Sequence, residues 1–348
     1  MNDTTDPTIV DVWDTSPIEY CTDITIYVDA YDCSGIAGVD IWINGDFGSF
    51  TYNATSGYWE YTWHPPSPGA YGYYVIVTDN NGLDTTSQVY GFNVSDTTPP
   101  AITDVVAPDI EFCTDITILA KVTDHLGVDT VTIVIGGDGP LDMVYNLTSG
   151  NWEYTYHPTA PGTYPFTITA TDLAGNVNTY VGSFDVVDTT APAISNVDAQ
   201  PDPLELCNDI YISADVTDHQ GVDYVEVTIV PGGTFTMSHI SGDTYGYYYH
   251  PPSIGTYTYT VYAYDLDANM ASDGPHTFDV VDTTPPLITD LTETPDPAEY
   301  CETVTISATI TDCAGIDTVE IVIELPDGTP LPPDTMTSVG GDVWEYTY

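Results

Sequence analysis

One short phrase recurs along the chain at nearly constant intervals. It reads NDTTDPTIVDV at 2–12, SDTTPPAITDV at 95–105, VDTTAPAISNV at 187–197 and VDTTPPLITDL at 281–291. The Asp-Thr-Thr within it begins at positions 3, 96, 188 and 282, so successive copies are 93, 92 and 94 residues apart. A period of this length is that of an independently folding domain, because solenoid units are only about 20–50 residues long. The chain is therefore expected to be a row of similar domains.

The repeated phrase marks the boundaries between these domains. We assign repeat 1 to residues 1–95, repeat 2 to 96–187, repeat 3 to 188–281 and repeat 4 to 282–348. Repeat 4 stops at WEYTY (344–348), which aligns with WEYTY at 152–156, so we expect it to lack counterparts of the last two strands. Such a domain would leave a sheet edge open to an added strand. Two interpretations remain open: the sequence is a window from a longer repeat protein, or a neighbouring molecule donates the strands.

Repeat 2 shows the strand pattern most clearly. Runs rich in Val, Ile, Thr and Tyr alternate in polarity with a period of two and are separated by Gly, Pro, Asn and Asp, which predicts β-strands joined by turns. The predicted strands A to G occupy 100–107, 114–124, 128–136, 141–147, 150–157, 162–172 and 180–187. The predicted fold is all-β, and each repeat is an antiparallel sandwich of about seven strands.

The charge of the chain is strongly one-sided. A single Lys accompanies 53 acidic residues, and the formal net charge is −52. Such a surface repels nucleic-acid phosphates and anionic membranes and attracts cations, and no run of about 18 apolar residues is present to span a bilayer. We therefore expect divalent cations as partners, and neither nucleic acid nor direct membrane insertion. A solvated acidic coat that only keeps the protein soluble is the alternative.

The loops at one end of each predicted sandwich carry recurrent aspartates. Because alternate strands run in opposite directions, the linker, the loop after strand B and the loop after strand F meet at one end, here called the entry end. Ca²⁺ takes about six to eight oxygen ligands, and crowded carboxylates without a cation would repel one another. Turn formation by solvated aspartates is the alternative. The predicted Ca²⁺ ligands are Asp96, Asp124, Asp129 and Asp172 in repeat 2, Asp188, Asp218, Asp223 and Asp265 in repeat 3, and Asp282, Asp312 and Asp317 in repeat 4; the equivalent residues of repeat 1 are Asp3, Asp32, Asp40 and Asp79.

The cysteines occupy two recurrent positions on either side of strand B. Cys21, Cys113, Cys207 and Cys301 precede this strand, and Cys33, His125, His219 and Cys313 follow it. The strand spans roughly 40 Å, far more than the Cα separation of about 7 Å that a disulfide allows, so pairing within one repeat is not expected. We expect Cys207 to pair with Cys313 across a repeat junction, and Cys33 with Cys301 between successive copies of the chain. The junction sets Cys21/His64/His125, Cys113/His157/His219 and Cys207/His250/Cys313 also suggest a soft-metal site of the Zn²⁺ type, with ordinary junction packing as the alternative.

Three motifs carry a resemblance to a known family. The Asp-Thr-Thr-Pro-Pro opening, the VTDHLGVDTV turn into strand C and the ATDLAGN turn after strand F are similar to those of tandem bacterial and archaeal immunoglobulin-like surface repeats. The resemblance covers essentially the whole chain, and it implies immunoglobulin-like sandwiches, an extracellular location and calcium at repeat junctions. The resemblance indicates the fold more strongly than the function, because such repeats occur in adhesin stalks, surface layers, filaments and appended enzyme domains.

The sequence contains no motif of a catalytic site. A Gly-rich phosphate loop, a nucleophile elbow and a helical pair of metal-binding histidines are all absent. We therefore expect no enzyme activity, and instead an extracellular rod that assembles with copies of itself into a filament, sheath or S-layer. The alternative is an adhesin stalk whose outward Tyr and Trp side chains bind surface glycans or a cellular partner. Sequons at Asn53, Asn93 and Asn146 predict N-glycosylation.

Overall fold

The computed structural model describes residues 4–348, and every regular element in this range is a β-strand. The predicted all-β fold is confirmed: the repeats are tandem immunoglobulin-like sandwiches. The chain divides into two compact units, residues 1–187 and residues 188–348, which are described separately. Among the described residues there is no helix long and apolar enough to cross a membrane.

Repeat 1 is a sandwich of two sheets. Its strands are β1 (Thr8–Asp14), β2 (Ile18–Glu19), β3 (Ile24–Tyr31), β4 (Ile36–Ile43), β5 (Asp46–Ser49), β6 (Thr51–Asn53), β7 (Tyr58–Trp63), β8 (Gly69–Asp79), β9 (Asp84–Thr86) and β10 (Tyr90–Ser95). One sheet has the order β1-β3-β7-β6 and the other β2-β10-β8-β4-β5, with β9 against β8. Side chains alternate between buried and exposed along β3 and β8, so one face of each sheet packs on the core, where Ile26 and Val75 are fully buried.

Repeat 2 has the same two-sheet arrangement. Its strands are β11 (Ala101–Val106), β12 (Ile110–Glu111), β13 (Ile116–Thr123), β14 (Val128–Ile135), β15 (Asp138–Asp142), β16 (Val144–Asn146), β17 (Asn151–Tyr156), β18 (Gly162–Asp172) and β19 (Val177–Val187). The sheets have the orders β11-β13-β17-β16 and β12-β19-β18-β14-β15. Ile118, Ile133 and Ile168 come from three different strands and meet in its core. Each fully buried side chain of this size contributes about 1.5–3 kcal/mol.

Repeat 3 joins its two sheets into one continuous set of strands. Its strands are β20 (Ala193–Gln200), β21 (Leu204–Glu205), β22 (Ile210–Thr217), β23 (Val222–Val230), β24 (Gly233–Ser241), β25 (Thr244–Tyr249), β26 (Gly255–Asp265) and β27 (Met270–Val281). The order is β20-β22-β25-β24-β23-β26-β27-β21. The long strand β24 makes this connection, because its first half pairs with β23 and its second half with β25.

Repeat 4 has one four-stranded sheet, of order β28-β29-β33-β32, and one short strand pair. Its strands are β28 (Leu287–Thr294), β29 (Thr305–Thr311), β30 (Glu320–Ile321), β31 (Asp334–Thr335), β32 (Thr337–Gly340) and β33 (Val343–Thr347). The buried core is small and consists of Ala308, Ile310, Val319 and Met336. Large apolar side chains on β28 remain exposed, including Leu287 and Leu291.

Two strand predictions for repeat 2 are corrected by the structure. The predicted strand D, 141–147, is divided between β15 and β16, which lie in opposite sheets. Met143 stands at this crossing, with a buried side chain and an N–H that donates to the Val131 carbonyl at 2.9 Å. The predicted strand A continues beyond β11 into the short β12, which pairs in parallel with β19. Local polarity predicts a strand, but it does not show which sheet the strand joins.

Candidate metal centres

Three aspartates meet at the entry end of repeat 2. Asp96 follows β10, Asp124 follows β13 and Asp172 ends β18. One carboxylate oxygen of each lies within 4.8 Å of the others. Asp96 and Asp172 are buried, with 9% and 2% of their surface exposed, and Asp124 is half-buried. We call this group the Asp96 cluster.

Asn176 ties the loop after β18 to the linker. Its Nδ2 donates to Asp172 Oδ2 at 2.8 Å and to the backbone carbonyl of Asp96 at 3.1 Å. The other oxygen of Asp172 accepts the N–H groups of Ala174 and Asn176, both at 2.8 Å. Burial alone would raise the pKa of Asp172, but the hydrogen bonds from Asn176 and Ala174 outweigh it and lower that pKa. Asp172 is therefore held as a charged carboxylate.

Asp124 is oriented by its own turn. Its Oδ1 accepts the N–H of Leu126 at 2.8 Å and that of Gly127 at 3.0 Å. The expectation of Asx-turns and the expectation of a metal site are therefore compatible, because one oxygen serves the turn while the side chain still reaches the cluster.

The buried oxygen Asp96 Oδ2 has no hydrogen-bond partner among the described residues. Oδ1 of the same carboxylate accepts the N–H of Thr98 at 3.2 Å. Burial raises the pKa of Asp96, and the charges of Asp124 and Asp172 raise it further. An unsatisfied buried oxygen is costly, and a cation among the three carboxylates would supply the missing partner. An all-oxygen donor set of this kind suits a hard divalent cation such as Ca²⁺.

Repeat 3 carries the same arrangement, here called the Asp188 cluster. Asp188, Asp218 and Asp265 each bring one carboxylate oxygen within 4.8 Å of the others. Asn269 Nδ2 donates to Asp265 Oδ2 at 2.8 Å and to the backbone carbonyl of Asp188 at 3.0 Å, as Asn176 does in repeat 2. Asp188 and Asp265 are buried.

The remaining predicted ligands Asp129, Asp223 and Asp317 do not join these groups. The pairing of β14 with β18 is irregular between Val128 and Thr130, and Asp129 at this bulge is exposed. Asp223 is exposed at the same irregularity between β23 and β26. Because a bulge redirects the side chain of its extra residue, the expected four-carboxylate set is a three-carboxylate set in repeats 2 and 3. Asp317 is exposed as well.

Repeats 1 and 4 show partial versions of the cluster. In repeat 4, the predicted ligands Asp282 and Asp312 line the same cleft, and burial and then the nearby charge of Asp312 raise the pKa of Asp282. In repeat 1, Ser34 Oγ donates to Asp32 Oδ1 at 2.7 Å and lies 3.5 Å from Asp79 Oδ2. The corresponding linker residue of repeat 1, Asp3, lies outside the described residues.

Glutamates that the sequence analysis did not single out bind the Thr-Thr of the repeated phrase. Glu19 accepts the N–H and hydroxyl of Thr97, both at 2.7 Å, and the N–H and hydroxyl of Thr98 at 3.1 and 3.0 Å. Glu205 binds Thr283 and Thr284 in the same way. A Glu stands two positions before each of the four cysteines that precede strand B, which is the signal that could have predicted this contact. We call it the linker clamp.

Cys207 and Cys313 form a disulfide, with Cα atoms 6.0 Å apart. It joins the residue that precedes β22 to the loop that follows β29, across the junction of repeats 3 and 4. Cys33 and Cys301 are free and exposed, as are Cys21 and Cys113. The four cysteines that precede strand B share a left-handed backbone, with φ between 62° and 70°.

The strand-end histidines pair with aspartates. Nδ1 of His64, His157 and His250 lies 2.8, 2.7 and 2.9 Å from Oδ1 of Asp23, Asp115 and Asp209, respectively, and all six side chains are more than half exposed. This equivalent pairing in three repeats gives these histidines a partner other than the soft-metal site considered from the sequence.

The three predicted sequons differ in their surroundings. Asn53 and Asn146 end β6 and β16, and their Nδ2 atoms donate to Glu60 and Glu153 at 3.0 Å. Asn93 is exposed in the middle of β10. A sugar on Asn53 or Asn146 would have to compete with the bond to the glutamate, whereas Asn93 has an open outward face.

These observations define a tandem array of immunoglobulin-like sandwiches with acidic clusters at repeat entries. Residues 14–77 match the family model of a bacterial Ig domain, and no curated protein matches the chain. Similar solved structures include a tetra-tandem repeat from the extending region of a large adhesion protein (20% identity, 95% of this chain and 89% of that one, TM-score 0.37). Another is an I-band fragment of titin (11% identity, 81% of this chain and 100% of that one, TM-score 0.37). A third comprises the fibronectin(III)-like modules of Clostridium thermocellum CbhA (17% identity, 51% of this chain and 94% of that one, TM-score 0.22).

Proposed function

We propose that this chain is a non-catalytic extracellular structural protein whose repeats assemble with copies of the chain into a cell-surface filament, sheath or S-layer. The observation that carries the proposal is the double anchoring of the linker after repeat 1. Glu19 of repeat 1 binds Thr97 and Thr98, and Asn176 of repeat 2 binds the carbonyl of Asp96. A linker bonded to both neighbouring repeats restricts bending between them, and this suits a structural array better than a flexible tether.

Calcium has a defined part in this proposal. A cation at the Asp96 cluster would satisfy the orphan oxygen Asp96 Oδ2 and neutralise three converging carboxylates. Because Asp96 belongs to the linker and Asp124 and Asp172 to loops of repeat 2, the ion would fasten the linker to that repeat. A ligand that binds only the folded form also stabilises it by mass action.

Self-assembly is proposed to use Cys33 and Cys301. Cys301 has the backbone φ of the bonded Cys207, 70° against 66°, and Cys33 follows an aspartate in the same kind of turn as Cys313. Both thiols are exposed. Oxidation of the two thiols by a low-molecular-weight disulfide, such as oxidised glutathione, would release two reduced thiols and leave Cys301 of one copy bonded to Cys33 of the next. Such bonds persist in an extracellular setting.

Electron microscopy of the purified protein in oxidised glutathione, with calcium or with EDTA, tests the proposal. We expect ordered assemblies in calcium, their loss in EDTA, and a covalent ladder on non-reducing gels that Cys301→Ser abolishes. Cys113→Ser, a matched exposed cysteine, should leave the ladder intact. Dispersed single molecules under every condition would contradict the assembly proposal.

A second candidate function, glycan binding by an adhesin array, is favoured by one feature of repeat 1. A cleft of about 330 Å³ is lined by Tyr31, Tyr52, Trp59 and Asp32, among others. Exposed aromatic rings beside a carboxylate can stack on and hydrogen-bond to a sugar. Saturable oligosaccharide binding by dispersed protein, lost in Tyr52→Ala, would favour this function over assembly.

A further inference from the structure

In the turns around the Asp96 and Asp188 clusters, two positions are apolar in repeat 2 and polar in repeat 3. Leu126, in the turn after Asp124, corresponds to Gln220 in repeat 3. Ala174, in the turn after Asp172, corresponds to Asp267. The three aspartates and the bridging asparagine are otherwise the same, so the chain contains two versions of one site whose differences are confined to these turns.

In repeat 3 the Gln220 side chain reaches the cluster, and the Asp267 carboxylate lies beside the Gln220 amide. The terminal amide of Gln220 lies 2.9 Å from Asp267 Oδ2 and 3.2 Å from Asp188 Oδ2, and with its nitrogen facing these oxygens it donates to both. Asp188 Oδ2 is the counterpart of Asp96 Oδ2, because the other oxygen of each accepts the N–H two residues ahead. Gln220 therefore reaches the oxygen that in repeat 2 is buried without a partner.

These distances also suit a shared ion. Oxygen ligands of Ca²⁺ lie about 2.3–2.6 Å from the ion, so neighbouring ligands are roughly 3 Å from one another. Rotation of the Gln220 amide by half a turn would replace its nitrogen by Oε1 at the same place, 3.2 Å from Asp188 Oδ2. Leu126 has no oxygen in its side chain, so water would fill the coordination position of Oε1 in repeat 2, and Ala174 adds no charge beside the site.

We propose that Gln220 and Asp267 make the Asp188 cluster a tighter and drier divalent-cation site than the Asp96 cluster. On ion binding the Gln220 amide rotates and Oε1 becomes a ligand, while Asp267 adds a negative charge beside the site. Ligand charge and number tune Ca²⁺ affinity over orders of magnitude, so we expect roughly tenfold tighter binding and about one fewer bound water. The inference deepens the proposed calcium-binding function and rests on it.

Terbium luminescence on the full chain tests this, with Tb³⁺ as the probe and Ca²⁺ as competitor. Asp218→Asn leaves the Asp96 cluster to be measured, and Asp124→Asn leaves the Asp188 cluster. Asn keeps the side-chain oxygen that caps each turn, so both variants should retain their fold, which thermal unfolding checks. The protein that carries both Asp124→Asn and Asp218→Asn gives the background of Tb³⁺ binding by other acidic groups. Lifetimes in H₂O and D₂O count the waters bound to the ion.

Reciprocal substitutions then assign the difference to the two residues. In the Asp124→Asn protein, Gln220→Leu with Asp267→Ala should weaken binding about tenfold and add about one water. In the Asp218→Asn protein, Leu126→Gln with Ala174→Asp should strengthen binding and remove water.

The outcomes separate this inference from the proposed function. Absence of binding above background at both clusters would overturn the calcium proposal itself. Binding at both with equal affinity and hydration, unchanged by the reciprocal substitutions, would overturn only the roles of Gln220 and Asp267.

Discussion

Thr284 donates both its backbone N–H and its hydroxyl to one carboxylate oxygen of Glu205, at 2.9 and 2.8 Å. Thr283 adds two further bonds to the same carboxylate, at 2.8 and 2.9 Å. The Thr-Thr of the repeated phrase is therefore a four-donor binding site for a glutamate of the preceding repeat. This gives the repetition of the phrase a physical basis beyond the stiffness of its prolines.

The linker clamp predicts a specific pH dependence. Hydrogen bonds lower the pKa of Glu205 to about 2. The largest contributions come from the Thr283 backbone N–H and the Thr284 hydroxyl, and smaller ones come from the Thr283 hydroxyl and the Thr284 backbone N–H. Since this pKa lies below the unfolded value of 4.5, the contribution to stability is complete above pH 4.5 and is lost as the pH falls toward 2. Thermal midpoints of the native chain and of Glu205→Gln should therefore converge between pH 4.5 and 2. A constant difference across this range would contradict the assignment.

The orphan oxygen of Asp96 predicts opposite effects with and without calcium. Asp96→Asn removes a buried negative charge whose Oδ2 lacks a hydrogen-bond partner. The thermal midpoint in EDTA should therefore rise by a few degrees, which corresponds to an increase of about 1 kcal/mol in the free energy of unfolding. The increase in the midpoint on adding calcium should shrink, because a ligand is lost. Asp129→Asn, at the exposed bulge position, serves as control and should leave both values unchanged. A reduced calcium response in the Asp129→Asn protein would show that Asp129 is a ligand after all.

The junction of repeats 1 and 2 predicts an engineered bond. Cys21 and His125 occupy the positions that Cys207 and Cys313 hold at the disulfide, and Cys21 has the same φ of 66° as Cys207. His125→Cys should therefore form a disulfide with Cys21 and stabilise the unit by about 2–4 kcal/mol. Thiol titration, and mass spectrometry of the two peptides that carry positions 21 and 125, check the bond. Two free thiols at these positions after oxidation would show that the two junctions differ in geometry.

The crossing between the sheets of repeat 2 predicts a contrast between adjacent residues. Met143 is 4% exposed and fills the core at the crossing, whereas Val144 is 69% exposed. Met143→Ala should lower the free energy of unfolding by about 2–4 kcal/mol, and Val144→Ala should change it by less than about 0.5 kcal/mol. Urea unfolding of the two variants measures this. Equal losses would contradict the buried position of Met143 at the crossing.

The candidate sites were only partly predictable. Asp96, Asp124 and Asp172 could be placed together because antiparallel connectivity alone determines which loops share an end. Asp129 could not be separated from them, because its exclusion depends on a bulge in the pairing of β14 with β18. Glu19 was missed because its contact with Thr97 links residues far apart in sequence, and the recurrence of Glu two positions before each cysteine that precedes strand B does not by itself identify the partner.

The sequence by itself determined the number and length of the repeats, their all-β character and the recurrence of aspartates at turns. The all-β character follows from the alternation of polarity with a period of two residues, which is a local pattern. The repeats and the recurrent aspartates follow from the repetition of one pattern about every 93 residues. The tertiary structure alone decided which carboxylates are buried together, which sheet each strand joins and which glutamates bind the linkers after repeats 1 and 3. These depend on pairing register and on contacts between distant segments, where one bulge or one crossing reverses the direction of a side chain.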